Sequence, residues 1–200
     1  MERVTTGYYA AGDPTLAGRL GRLSLAVAAR YGARVVVSHH GALALSGLPL
    51  HGMDLKVAHL TYRRGGSYRR RTDHVVHAAI AQALTTATSA GAAASGTDPG
   101  RPHLTLAPVM GLPTALVQVG LLWGIRALVV AGDAALARGM VTRAELVEAA
   151  EQFRNCAGRA AVLAGVDLLD SGSESPGETG KTLAALTSSA LASPAPWPPA

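Results

Sequence analysis

One cysteine and one phenylalanine occur in the whole 200-residue chain, and aromatic residues together make up only 4% of it. The lone thiol, Cys156, excludes an internal disulfide framework, so the fold must be held by burial, and it fits a reducing, cytoplasmic compartment. Charged residues are sparse at 16%, and clustered carboxylates, paired cysteines and His-x-x-x-His spacings are all missing. The N-terminus, MERVTTGYYAAGD, lacks the apolar run of a secretory signal. The uncharged stretch from Leu104 to Ile125 is long enough to cross a bilayer, but Pro108, Pro113 and several glycines interrupt it. No membrane association is expected.

What is present is alanine, glycine and leucine. Hydrophobic residues account for 48% of the chain, enough for one core and at most one and a half domains. The net charge of +5 is unevenly placed: residues 1 to 80 hold eleven basic against four acidic residues, the rest seven against nine. An anionic partner such as DNA would therefore meet the first half. Its densest segment, YRRGGSYRRRTDH, sets Arg63, Arg64, Arg69, Arg70 and Arg71 around a Gly-Gly turn with two tyrosines. Guanidinium forks grip phosphates and tyrosines offer stacking faces, so the segment suits a phosphate-tracking loop. A solvated hairpin is the equally open alternative.

Hydrophobic spacing gives a coarse map. Val4 to Ala10 reads as a strand. Asp13-Pro14 resembles a helix start, with Leu16, Leu20, Leu23, Val27 and Tyr31 at helical spacing before Gly32. Val35 to Val37 reads as a strand end, and Ser38 is placed to cap a short helix carrying Ala42, Leu43 and Leu45. Lys56 to Tyr62 and His74 to Ala78 read as strands joined by the arginine segment. Thr85 to Pro102, within a low-complexity stretch over 79–108, reads as a linker or surface loop. Beyond it helices are expected over Pro113 to Trp123, Ile125 to Ala137 and Gly158 to Leu169, with Thr142 and Glu145 forming a capping box before Leu146, Ala149, Ala150 and Phe153. Ser175 to Glu178 repeats that capping pattern, and the proline-rich end has no periodicity. The fold class is therefore α+β: a small sheet with the SHH helix, then a helical C-terminal half.

The adjacent pair His39 and His40 raises the question of a metal or catalytic site. Neighbours on a regular helix point about 100° apart, so the two cannot chelate one ion from such a helix. His74 and His77, three apart in a strand, face opposite ways. By spacing, the histidines complete no ligand set, and no metal, cofactor or catalytic residue is expected. Ser38, His39 and His40 are assigned structural polar roles, as are the capping pairs Thr142 with Glu145 and Ser175 with Glu178. Asp133, amid apolar residues in VVAGDAAL, is expected to be buried against a donor, a backbone amide or an imidazole near Ser38 to His40.

The ordered series SHHGALALSGLPLHG, VAHLTYRRGG, HVVH, ALVQVGLLWGIRALVVAGDAALARGMVTRAEL and SESPGE resembles the AbiEi-type antitoxins of actinobacterial type IV toxin–antitoxin systems, over about residues 3 to 180. The resemblance implies an N-terminal winged helix, a middle domain with the SHH helix, and a C-terminal endonuclease-like domain related to very-short-patch repair enzymes. RVTTGYY is similar to the last strand of the winged helix, its wing, which would add Arg3 and Tyr8 to the DNA-contacting residues; the recognition helix is not in the sequence. SPGET with Glu178 resembles the first helix of the nuclease-like domain, without the acidic residues and lysine that would bind magnesium. The resemblance thus implies a wing remnant over 1–12, a middle domain over 13–170 and a truncated nuclease-like start over 171–200. It implies a DNA-associated antitoxin-like or regulatory protein that binds DNA weakly and without sequence preference, with a toxin as possible partner. The alternatives are an inactive remnant of an endonuclease-domain protein and a non-enzymatic interaction module.

Overall fold

Where hydrophobic spacing predicts one strand over Val4 to Ala10, the computed structural model has two, β1 (Glu2–Thr5) and β2 (Tyr8–Ala10). They pair antiparallel with Glu2 opposite Ala10 and Arg3 opposite Tyr9, so the chain must reverse between them. The structure describes residues 2–5, 8–10, 15–80 and 107–169. Helix α1 (Leu16–Tyr31) is capped by Thr15, whose Oγ1 accepts the Gly18 N–H at 3.0 Å. The expected start at Asp13-Pro14 lies outside the described residues. Leu20 and Val27 are buried as their spacing predicts, but Leu16 is 61% exposed, because packing begins one turn later.

After α1 come β3 (Val35–Val37), α2 (His39–Leu45), β4 (Ala58–Tyr62), β5 (Arg69–Arg70) and β6 (His74–His77). The sheet order is β3-β4-β6-β5, with β3 antiparallel to β4, β4 parallel to β6, and β5 antiparallel to β6. The two strands expected on either side of the arginine segment are thus present but run parallel. A parallel pair cannot be closed by a tight turn. Residues 63–73 supply the crossover, and within them β5 returns along the outer edge of β6.

The opposite edge of the sheet is covered. Val37 N–H donates to Pro108 O at 2.9 Å and Met110 N–H donates to Val37 O at 2.8 Å. Ala107, Val109 and Met110 are buried, so the chain is packed on the sheet from the end of the stretch expected as a loop or linker onward. The linker expected over Thr85 to Pro102 falls outside the described residues.

Four helices follow: α3 (Leu112–Trp123), α4 (Ile125–Ala137), α5 (Arg143–Glu151) and α6 (Arg159–Asp167). Gly124 separates the first two at φ 85°, a conformation that glycine adopts without a Cβ clash. The capping box is as the sequence predicts: Thr142 Oγ1 accepts Glu145 N–H at 3.2 Å, and Glu145 Oε2 accepts Thr142 N–H at 2.7 Å. Leu146, Ala149, Ala150 and Phe153 turn inward together, and Asp133 is buried in α4. One core joins Val27 of α1, Val37, Leu60 and Val76 of the sheet, and Leu116, Leu128, Leu146 and Val162 of the four helices. The fold is α+β. Among the described residues no helix is long and apolar enough to cross a membrane. Ser175 and Glu178 lie outside them.

Candidate functional site

The parallel register of β4 and β6 sets Thr61 beside His77 and His59 beside Val75. Side chains alternate across a strand, so His59, Thr61 and His77 share one face while His74 takes the other. His74 Nε2 lies 3.0 Å from the Tyr31 hydroxyl and its Nδ1 2.6 Å from Asp73. Asp73 is partly buried, which alone would raise its pKa; hydrogen bonds from His74 and Thr5 outweigh this and lower it. On the opposite face His77 Nε2 lies 3.0 Å from His59 Nδ1. His74 and His77 do face opposite ways. The expectation that the histidines form no set is nevertheless corrected, because the partner of His77 lies 18 residues earlier in the chain.

His39 and His40 reach the same place from the joint between β3 and α2. Ser38 N–H donates to His59 O at 3.1 Å, carrying the β3–β4 ladder one residue past Val37. His39 then takes φ 51°, the single positive φ at a non-glycine among the described residues. A left-handed residue is uncommon outside glycine and is held only where its surroundings fix it. Its N–H donates to Gln118 Oε1 at 3.3 Å, and Gln118 Nε2 donates to Thr61 Oγ1 at 3.3 Å. Thr61 Oγ1 donates to Ser38 Oγ at 2.9 Å, which lies 2.8 Å from His39 Nδ1. Ser38 therefore starts the helix without a side-chain cap; its hydroxyl orients His39 instead.

This turn lets two neighbours converge. His39 stacks on His77 with ring centroids 4.2 Å apart and meets His59 edge-on at 5.3 Å. His40 meets His59 at 5.0 Å from the other side. Trp123, at the end of α3, closes the group at 4.6 Å from His40 and 5.1 Å from His59. Ring nitrogens of His39, His59 and His77, one from each, all lie within 4.8 Å of one another. His40 stands behind them, its Nε2 donating to Asp54 O at 2.8 Å, while its buried Nδ1 has no hydrogen-bond partner among the described residues.

Burial sets the charge of the group. It lowers His40 and His77 from the ordinary 6.5 to about 4, and His59 further still; neighbouring imidazoles add to the effect at His77 and His59, while Asp54 partly opposes it at His40. His39 is also well below 6.5 through burial and then the nearness of His77 and His59. All four rings are neutral at pH 7. A cavity of about 210 Å³ opens beside His39 and His77, walled by Tyr68, Gln118, Leu121, Phe153 and Cys156. Burial raises the pKa of the Cys156 thiol.

The arginine segment lies outside this face. Arg63, Arg64, Arg69, Arg70 and Arg71 are all exposed, the last three on or beside the outermost strand, and none is paired with a carboxylate among the described residues. Arg63 N–H donates to Arg34 O at 2.9 Å, which brings exposed Arg34 beside the group. Arg3 and Tyr8 lie in β1 and β2, and Thr5 Oγ1 donates to Asp73 Oδ2 at 2.9 Å, tying that hairpin to the start of β6. Sequence spacing identified the arginines but missed His59, whose only signal is an imidazole at an inward position of the alternating run VAHLTY. No family profile, curated protein or solved structure matches the chain.

Proposed function

We propose that the chain is a DNA-associated, antitoxin-like regulatory module that grips the phosphate backbone through the arginine edge of its sheet. The observation that carries this is the trio of exposed arginines on and beside β5, Arg69, Arg70 and Arg71, with Arg63 and Arg64 also exposed just past β4, all free of carboxylate partners among the described residues. A guanidinium held on an edge strand is pre-positioned, and phosphate contact releases counterions without reading base sequence. Charged residues also keep a sheet edge from pairing with another chain, a role compatible with DNA contact. The antitoxin part rests on the resemblance of the SHH, YRRGG and RAEL segments, and the hairpin form of β1 and β2 is what a winged-helix wing takes. The role is one of binding rather than nucleolysis, with a toxin as the second protein of the pair.

Binding of a short duplex, measured by fluorescence anisotropy across salt, tests the reading. Each phosphate neutralised contributes about −0.9 to the slope of log K against log salt. Replacing Arg69, Arg70 and Arg71 by alanine should therefore flatten the slope by roughly two to three. Equal affinity for unrelated duplexes is expected. A slope unchanged by the triple substitution, or no binding at low salt, overturns the arginine edge as the contact surface.

A further inference from the structure

Three buried imidazoles against one tryptophan, with a fourth, half-buried, stacked on them, are an unusual way to fill a core. Apolar side chains pack the same space without the cost of desolvating ring nitrogens. Here the rings come from three separate places, β4, β6 and the β3–α2 joint, and His39 enters only through a strained left-handed turn. Strain of this kind persists where the surrounding structure fixes it, and it collects at functional sites. Gln118, Thr61 and Ser38 fix it: they form a buried chain of hydrogen bonds that ends on the His39 backbone and on its Nδ1.

We propose that His39, His59 and His77 form a divalent-metal site, best matched to zinc, with its remaining coordination position facing the adjoining cavity. Imidazole nitrogen is a preferred zinc ligand at about 2.0–2.1 Å, so two nitrogens on a tetrahedral ion stand roughly 3.3 Å apart. His59 Nδ1 and His77 Nε2 are already 3.0 Å apart. Ring nitrogens of all three, one from each, lie within 4.8 Å of one another, a spread that modest ring rotations close. A ligating histidine usually donates its other ring N–H to an outer partner, which fixes the tautomer. Ser38 Oγ, 2.8 Å from His39 Nδ1, can be that partner: in the tautomer with the proton on Nδ1, Nε2 of His39 keeps the lone pair a metal needs.

Three protein ligands with an open position are the pattern of reactive rather than purely structural zinc sites. The cavity reaches His39 and His77, and apolar Leu121, Leu122 and Phe153 line it with Gln118. Among the described residues, Arg70 pairs with Val75, the neighbour of His59, and so lies on this face of the sheet, while Asp54 stands behind at His40. With Arg70 near and no carboxylate in the ligand set, an anion at the fourth position, hydroxide or a small oxyanion, best balances the ion.

The test uses the tag-free full chain. After chelator treatment and dialysis, zinc alone is titrated by calorimetry and metal content is read by mass spectrometry; cobalt replaces zinc for visible absorption. One zinc per chain, a rise in Tm on its addition, and the intense visible bands of four-coordinate cobalt are expected. His77→Ala should weaken binding by more than about 100-fold, beyond what loss of an outer partner costs. His51→Ala, an exposed histidine, should leave it unchanged. No saturable binding to the native chain, or one-to-one binding that survives His77→Ala, overturns the site. If His77→Ala fails to fold by circular dichroism, the cobalt spectrum of the native chain decides: bands of an octahedral aquo-ion overturn the proposal.

Discussion

His77 Nε2 and His59 Nδ1 lie 3.0 Å apart on neighbouring parallel strands, although a crossover carrying five arginines separates them in the chain. The sheet register, and no local spacing, makes them partners. It also makes both rings neutral, because the face they share is closed by α2 and the end of α3.

That neutrality predicts the response to acid. The folded pKa values of His40 and His77 are near 4 against an ordinary 6.5, so between these values the unfolded chain binds more protons. Stability then rises with pH across that window and is lost as pH falls from about 6.5 towards 4. Each such histidine contributes a slope of about 1.4 kcal/mol per pH unit inside the window. Urea melts of the metal-free chain in chelator should show the midpoint nearly constant above pH 7 and falling steeply below 6.5. A midpoint flat between pH 7 and 5 would contradict burial of neutral rings.

The buried chain from Gln118 to Ser38 predicts a second loss. Gln118→Leu removes the acceptor of the His39 N–H and the donor to Thr61 while keeping similar volume. Leaving these groups unsatisfied should cost about 1–3 kcal/mol in urea melts. The same variant should weaken zinc binding, since it frees the left-handed turn at His39. A cost under about 0.5 kcal/mol would mean that the network contributes little to that turn.

Much of the helical half was legible because its signals are local. Gly124 and the Thr142–Glu145 pair mark helix ends within a few residues, and apolar spacing reports buried faces such as Leu146, Ala149 and Ala150. Strand partners are not local. The pattern of VAHLTY and HVVH predicts two strands without saying that they run parallel, so the meeting of His59 with His77 stayed hidden. His39 was hidden for another reason. The 100° argument against a joint role for His39 and His40 holds for a regular helix, and φ 51° at His39 removes its premise.

Close packing of α2 on α1 gives a third prediction. A Cβ at Gly41 would lie 2.6 Å from Ser24 Oγ and 3.1 Å from Val37 Cγ1. Gly41→Ala should therefore destabilise the chain by about 1–3 kcal/mol through overpacking. Ser24 Oγ is buried with no hydrogen-bond partner among the described residues, so Ser24→Ala should be near neutral or stabilising. The double variant should recover part of the loss, a coupling that thermal melts of the four proteins would measure. Strict additivity would place the strain of Gly41→Ala elsewhere.

The capping box at α5 sets a smaller, separable effect. Thr142→Ala removes the acceptor of the Glu145 N–H and should cost about 1 kcal/mol, without altering zinc binding or the salt dependence of DNA binding. A change in either property would show that α5 communicates with those surfaces.

The most direct measurement is X-ray absorption at the zinc edge on the full chain loaded with one equivalent of the ion. Three imidazole nitrogens at about 2.0–2.1 Å, with one lighter, exchangeable ligand, are the predicted first shell, and the imidazole pattern should fall by one ring in His77→Ala. A shell of oxygen ligands, or three imidazoles that persist unchanged in that variant, would contradict the convergence of His39, His59 and His77 on a single ion.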